Sequence, residues 1–173
     1  MATATASQTA GPYWHLLQDP SWADLTRFGA IGERLVLSGI VSDGDGKPCT
    51  DACVEIWQAD PPSSDSFPGF GRCATDTNGA FRFVTIKPGP VPGRGNTQQA
   101  PHIAICILAR GLMRGLITRA YFRNDPRNET DPLLMSIDEP ARRETLLAHP
   151  AGPATWRLDI RLQGAGETVF LDL

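Results

Sequence analysis

Residues Lys87–Phe122 read KPGPVPGRGNTQQAPHIAICILARGLMRGLITRAYF, and this stretch decides the fold. A Pro/Gly-rich loop leads into the apolar run HIAICILAR (102–110), which reads as a buried strand. A tight return near Gly111 follows, and then a second strand, LITRAYF (116–122). Two such strands joined by a tight return predict a pair that forms the floor of any site the protein has. His102 opens the first strand, so the stretch has the outline of a metal floor, with a single histidine and few other donors near it.

Working outward, the same periodicity recurs on both sides. Arg34–Ser42 (RLVLSGIVS) is a strand, and DGDGKP after it carries a Gly/Asp turn signal. Ala52–Ala59 (ACVEIWQA) alternates, Asp60–Gly71 is Pro/Ser/Gly-rich and predicts loop, and Thr75–Gly79 predicts a hairpin turn. Ala80–Ile86 (AFRFVTI) then alternates strictly. On the C-terminal side, Arg123–Pro132 is a polar loop. Ser136-x-x-Glu139 has capping-box spacing and predicts a short helix through His149, closed by Pro150 and Gly152. Ala154–Leu162 and Thr168–Leu173 predict two last strands. Residues 1–33 show no sustained period and predict an extended arm and an irregular segment, the arm pinned by Tyr13 and Trp14. The sum is an all-β, two-sheet β-sandwich over 34–173, with one short helix and an N-terminal arm, the whole of 1–173 forming a single domain.

Composition excludes several function classes. The chain has 173 residues and a formal charge of −3, and its Lys and Arg are scattered, so no basic field for nucleic acid is present. No run approaches the roughly 18 apolar residues of a membrane span. The first residues, MATATASQTAGPY, carry neither the basic nor the apolar region of a signal peptide, and this predicts a cytoplasmic protein. Cys49, Cys53, Cys73 and Cys106 have neither CxxC nor zinc-ribbon spacing and predict reduced, space-filling thiols.

Eight segments, taken together and in order, resemble the intradiol ring-cleaving dioxygenases. They are SQTAGPY (7–13), GIVSDGDGKP (39–48), EIWQAD (55–60), IKPGPVPGR (86–94), APHIAICILARG (100–111), LITRAYF (116–122), ARRETLLA (141–148) and RLDIRLQGAGETVFLDL (157–173). Iron-bearing members of that family hold Fe(III) with two tyrosines and two histidines, the latter spaced H-x-H. Here that position reads His102-Ile103-Ala104, KPGP is followed by Val91, and Asp60–Gly71 contains no tyrosine. A count made without the family agrees. The tyrosines are Tyr13 and Tyr121, and the histidines are His15, His102 and His149, so a Tyr₂His₂ centre cannot be gathered near His102. This chain is expected to bind no metal and to carry no catalytic residue of its own.

The resemblance implies how such a chain functions. Some family members are hetero-oligomers of αβ units, in which a homologous β subunit carries the Fe(III) and the iron-free α chain completes the cleft. The chain resembles the α type, which implies O₂-dependent ring cleavage of an aromatic dihydroxy acid at a site shared with the partner. Carried over residue by residue, the resemblance implies substrate contacts at Thr9, Gly11 and Pro12 of the arm and at Arg110. Arg110 also has a reading from the residues alone. It ends an apolar strand where the chain turns, so its guanidinium can pair bidentately with an aromatic carboxylate; a solvated turn arginine and a salt bridge to the partner are the alternatives. Arg119, beside the degenerate iron position, is expected to neutralise the vacated pocket, with Glu55 or Asp159, or to be a plain interface arginine. His102 is expected in the core or an interface, Tyr121, Trp57 and Trp156 in the core, and Arg142-Arg143-Glu144 on a solvated helix face. Two rival functions stand beside this one: a non-enzymatic β-sandwich binding module, and an α-type subunit for a different aromatic acid.

Overall fold

A computed structural model describes residues 5–11 and 13–172. Its strands are β1 (Arg34–Ser42), β2 (Cys53–Trp57), β3 (Phe70–Ala74), β4 (Ala80–Ile86), the two-residue pair β5 (Val91–Pro92) and β6 (Gln98–Gln99), β7 (His102–Leu108), β8 (Leu116–Phe122), β9 (Leu147–Gly152), β10 (Thr155–Arg157) and β11 (Ile160–Arg161). Two one-turn helices, α1 (Pro132–Met135) and α2 (Pro140–Glu144), lie between β8 and β9.

Hydrogen bonds run along the path β3-β2-β7-β8-β9-β10-β1, and β4 pairs with the far edge of β1. Along its other edge β1 pairs in parallel first with β10, at Val36–Ser38, and then with β11, at Val41–Ser42. Because β3 and β4 are joined by the tight turn at Asp76–Gly79 and pack against each other, the sheet is nearly closed. The fold is mostly β, as expected.

Alternation explains where the core sits. In β1 the odd residues Leu35, Leu37 and Val41 are buried; in β4 so are Phe81 and Phe83, and in β7 Ile103, Ile105 and Ile107. These side chains meet Val54, Ile56, Ala120 and Phe122 in one cluster. Each such side chain contributes about 1.5–3 kcal/mol by leaving water. Gly39 breaks the apolar series of β1 for a steric reason: a Cβ there would collide with the Leu158 backbone carbonyl and the Phe81 ring. A second, smaller cluster forms on the opposite face of β8, where Tyr121 packs with Ala100, Leu134 and Leu146.

Several local expectations are corrected. The helix expected from Ser136 to His149 does not form; Ser136 instead ends α1, and His149, Pro150 and Gly152 lie in β9. Pro140 is the cause, since it has no N–H to give to the Ser136 carbonyl and can only begin a helix, which it does in α2. Asp131 caps α1 through Leu133 N and Leu134 N, while Glu139 makes no side-chain cap. The Asp60–Gly71 loop stops at Gly69, and Phe70–Ala74 forms β3 against β2. The strand expected over Ala154–Leu162 is split into β10 and β11, and of the one expected over Thr168–Leu173 only Leu171 bridges among the described residues, to Ile117. Trp57 is not core: it is 54% exposed, on the outer side of β2 with Glu55. Trp156 does pack, edge-on to Phe122 at 5.0 Å. Tyr13 is exposed and pins nothing, whereas Trp14 Nε1 donates to the Asp51 carbonyl at 3.1 Å. The α2 side chains are engaged rather than free: Arg142 donates to Glu167 O, Arg143 to Ile137 O, and Glu144 pairs with Arg123.

Candidate functional site

The two ends of β7 carry the residues that the sequence singled out. At the N-terminal end, His102 lies opposite Tyr121 of β8, and Ala104 opposite Arg119. His102 Nδ1 is 2.8 Å from the Ala100 carbonyl, which can only accept, so this nitrogen carries the proton. Burial holds the imidazole below its ordinary pKa of 6.5; the Ala100 hydrogen bond opposes this shift and the Arg119 charge adds to it. The ring is neutral and stacks, tilted, 5.3 Å from Tyr121.

Tyr121 has no exposure. Its hydroxyl donates to Asp131 Oδ1 at 3.1 Å and accepts from Arg119 Nη1 at 3.1 Å. Burial pushes the phenol pKa well up, so it stays a neutral donor. Asp131, also fully buried, accepts from Ala100 N, Leu133 N and Leu134 N as well. Arg119 reaches on to Gln99 Oε1 at 2.7 Å, and Gln99 Nε2 donates to the Pro92 carbonyl. The guanidinium therefore ties the strand floor to the β5–β6 hairpin that contains Val91. Neither carboxylate expected beside Arg119 is its partner: Glu55 is paired with Arg72, and Asp159 with Arg157.

The loops over this floor are stitched together as well. Asp60 Oδ2 accepts from Gly89 N at 2.6 Å, joining the loop after β2 to the KPGP segment. Gln58 is buried and bonds to the Ile86 carbonyl and to Thr85. Fe(III) with hard anionic ligands does not fit these residues. The floor offers one neutral histidine, a neutral phenol committed to Asp131 and a fixed guanidinium, and among the described residues no three His, Cys, Asp or Glu are grouped to hold a metal.

The C-terminal end of β7 is built differently. The chain turns at Gly111, which has φ of +90°. Arg110 is 68% exposed in its side chain, with Nε 3.2 Å from Asp51 Oδ2. Thr9 of the arm lies on the same turn: its hydroxyl donates to Ala109 O at 3.1 Å and accepts from Gly111 N at 3.2 Å. Gly11 follows with φ of +71° and open space where a Cβ would be. Thr9 and Arg110 are thus brought together with Gly11 close by along the arm; Pro12 lies outside the described residues. Asp51 had no signal in the sequence, because it is joined to Arg110 and Trp14 only across the fold.

Between the two ends, the outer face of β2, β3, β7 and β8 holds a shallow apolar depression of about 260 Å³, lined by Trp57, Phe70, Ala104, Cys106 and Ile117. The four cysteines are free. Burial pushes Cys53 up to about 12 and Cys73 up to about 11, so neither is a reactive thiolate. Among the described residues no helix is long and apolar enough to cross a membrane.

This mostly β fold with a nearly closed sheet has counterparts among known proteins. The profile of the dioxygenase family matches residues 11–164, and the chain belongs to the intradiol dioxygenases. Among relatives, it is 40% identical to the protocatechuate 3,4-dioxygenase alpha chain of Pseudomonas putida, over 97% of this chain and 96% of that one. It is 38% identical to the corresponding alpha chain of Burkholderia cepacia, over 98% and 97%. The protocatechuate 3,4-dioxygenase beta chain of Burkholderia cepacia is 37% identical over 65% of this chain and 54% of its own length. Among solved structures, the dioxygenase domain of a carbohydrate-binding fusion from Streptomyces sp. SirexAA-E superposes with a TM-score of 0.64 at 32% identity. That match covers 94% of this chain and 99% of the domain.

Proposed function

We propose that this chain is the iron-free α subunit of a protocatechuate 3,4-dioxygenase, working in αβ units with a homologous β subunit that binds Fe(III). The reaction is the insertion of both atoms of O₂ between the two hydroxylated carbons of protocatechuate, opening the ring to 3-carboxy-cis,cis-muconate. The observation that carries this reading is the donor set around His102. In a chain that matches α chains along nearly its whole length, a tyrosine hydroxyl is spent on Asp131 and a guanidinium stands opposite Ala104.

The chain's own contribution is then recognition and assembly. Arg110 meets the substrate carboxylate, a group protocatechuate has and catechol lacks, and Thr9, Gly11 and Pro12 border the same pocket. The nearly closed sheet is read as two packed layers, β4-β1-β10-β9 and β3-β2-β7-β8, in one domain over 1–173, and the complex as cytoplasmic, in keeping with four free thiols. Co-expression with a β-type chain tests the proposal by mass, iron content and turnover. The complex is expected to hold one iron per αβ unit and to cleave protocatechuate, and the isolated chain to do neither. Stoichiometric iron and turnover in the isolated chain would overturn it.

A further inference from the structure

Three contacts converge on the turn that carries Arg110. The Thr9 hydroxyl gives its one proton to Ala109 O and takes the Gly111 N–H, so a single side chain fixes the backbone on both flanks of the arginine. Asp51 meets the guanidinium itself, with Oδ2 3.2 Å from Nε. The backbone carbonyl of Asp51 accepts from Trp14 Nε1, which fastens the arm at a second point. Among the described residues no hydrogen bond is made by either terminal nitrogen of Arg110, and the side chain is 68% exposed against 30% for Asp51.

An arginine has two edges that can meet a carboxylate: one formed by Nε and one terminal nitrogen, the other by the two terminal nitrogens. Asp51 forms an ion pair on the Nε side without an aligned Nε–H hydrogen bond, and with both terminal nitrogens free of hydrogen bonds among the described residues, the terminal pair is the edge farther from Asp51 and open to a ligand. We infer that Asp51 is a positioning residue for Arg110, holding the guanidinium by its Nε side so that the terminal pair is presented to the carboxylate of an aromatic substrate. The inference rests on the reading of Arg110 as the carboxylate contact. Its physical basis is preorganisation: a free arginine loses rotamer freedom when it binds, and one already held by a partner and by a fixed backbone loses less. Thr9 then acts through the turn as part of the same clamp.

A competing effect has the opposite sign. Asp51 places a negative charge behind the guanidinium, and removing it relieves repulsion toward a bound carboxylate. Asp51→Asn keeps the size of the side chain and removes the charge, so the direction of the change in KM separates ordering from repulsion. In the αβ complex, at unchanged mass and iron content, Asp51→Asn is expected to raise KM for protocatechuate about 3- to 10-fold, with a smaller change in kcat and no change in KM for catechol. Arg110→Ala is expected to raise KM for protocatechuate about 10- to 100-fold, and adding Asp51→Asn to it should have no further effect. An unchanged or lowered KM in Asp51→Asn beside a raised KM in Arg110→Ala overturns the positioning role alone. An equal rise for catechol overturns it too, since that would mark a general loosening of the site. If Arg110→Ala leaves KM for protocatechuate unchanged, the reading of Arg110 itself fails.

Discussion

The two ends of β7 are a few residues apart in sequence and opposite in construction. At the His102 end, the polar side chains find their partners inside the protein: the imidazole at Ala100, Tyr121 at Asp131, and Arg119 at Gln99 and Tyr121. At the Arg110 end, the charge stands in solvent, held by one carboxylate at its Nε and by a clamped backbone. The lesson is about where function can reside. A closed network commits the phenol, the carboxylate and the guanidinium to internal partners, leaves one neutral imidazole nitrogen as the sole uncommitted donor to a metal and stabilises the fold, whereas an exposed guanidinium with a free edge is available to a ligand.

Four substitutions press on that contrast, beginning with the largest effect. Asp131→Ala strands four donors, three of them buried, and is expected to cost about 3 kcal/mol or more, read from the denaturant midpoint of unfolding. A loss below about 0.5 kcal/mol would mean that the closed end is not what holds the floor. Arg110→Ala should show the reverse profile, with a 10- to 100-fold rise in KM for protocatechuate in the complex but stability within about 0.5 kcal/mol of wild type. If it unfolds the chain, the open end is structural and the comparison collapses. Tyr121→Phe removes one hydroxyl between Asp131 and Arg119 while keeping the ring, and should cost about 1 kcal/mol with no change in KM.

The smallest effect is a pH dependence. The folded pKa of His102 lies below 6.5, so as the pH falls past 6.5 the unfolded chain takes up a proton before the folded chain does. The stability contributed by the neutral ring is therefore complete above pH 6.5 and is lost as the pH falls through the folded value. Unfolding free energies of wild type and His102→Gln, compared at about pH 7.5 and about pH 5, should show the variant losing less. Equal losses would mean that His102 is not held neutral by its surroundings.

Much of this was legible in the chain. Strands β1, β4 and β8 match their expected segments residue for residue, in β1 and β4 because alternation over seven or more residues is a strong local signal. β3 was not legible, since FGRCA is short and follows a Pro/Ser/Gly-rich run. The capping-box spacing at Ser136 misled because it is local, while Pro140 forbids the helix that the spacing suggests. Trp57 misled for a different reason: both faces of CVEIW carry apolar residues, so the sequence alone does not say which face turns inward.

By itself, then, the sequence determined the β class and most strand positions. It also put His102 and Arg110 at the two ends of one segment, although β7 stops at Leu108 and Arg110 stands in the turn beyond it. Tertiary structure alone decided what each of them meets. Asp51 beside Arg110, Thr9 across Ala109 and Gly111, and Gln99 at Arg119 are contacts between segments far apart or on different strands. Periodicity records which way a side chain points along its own strand, and has no means to record which distant group is waiting there.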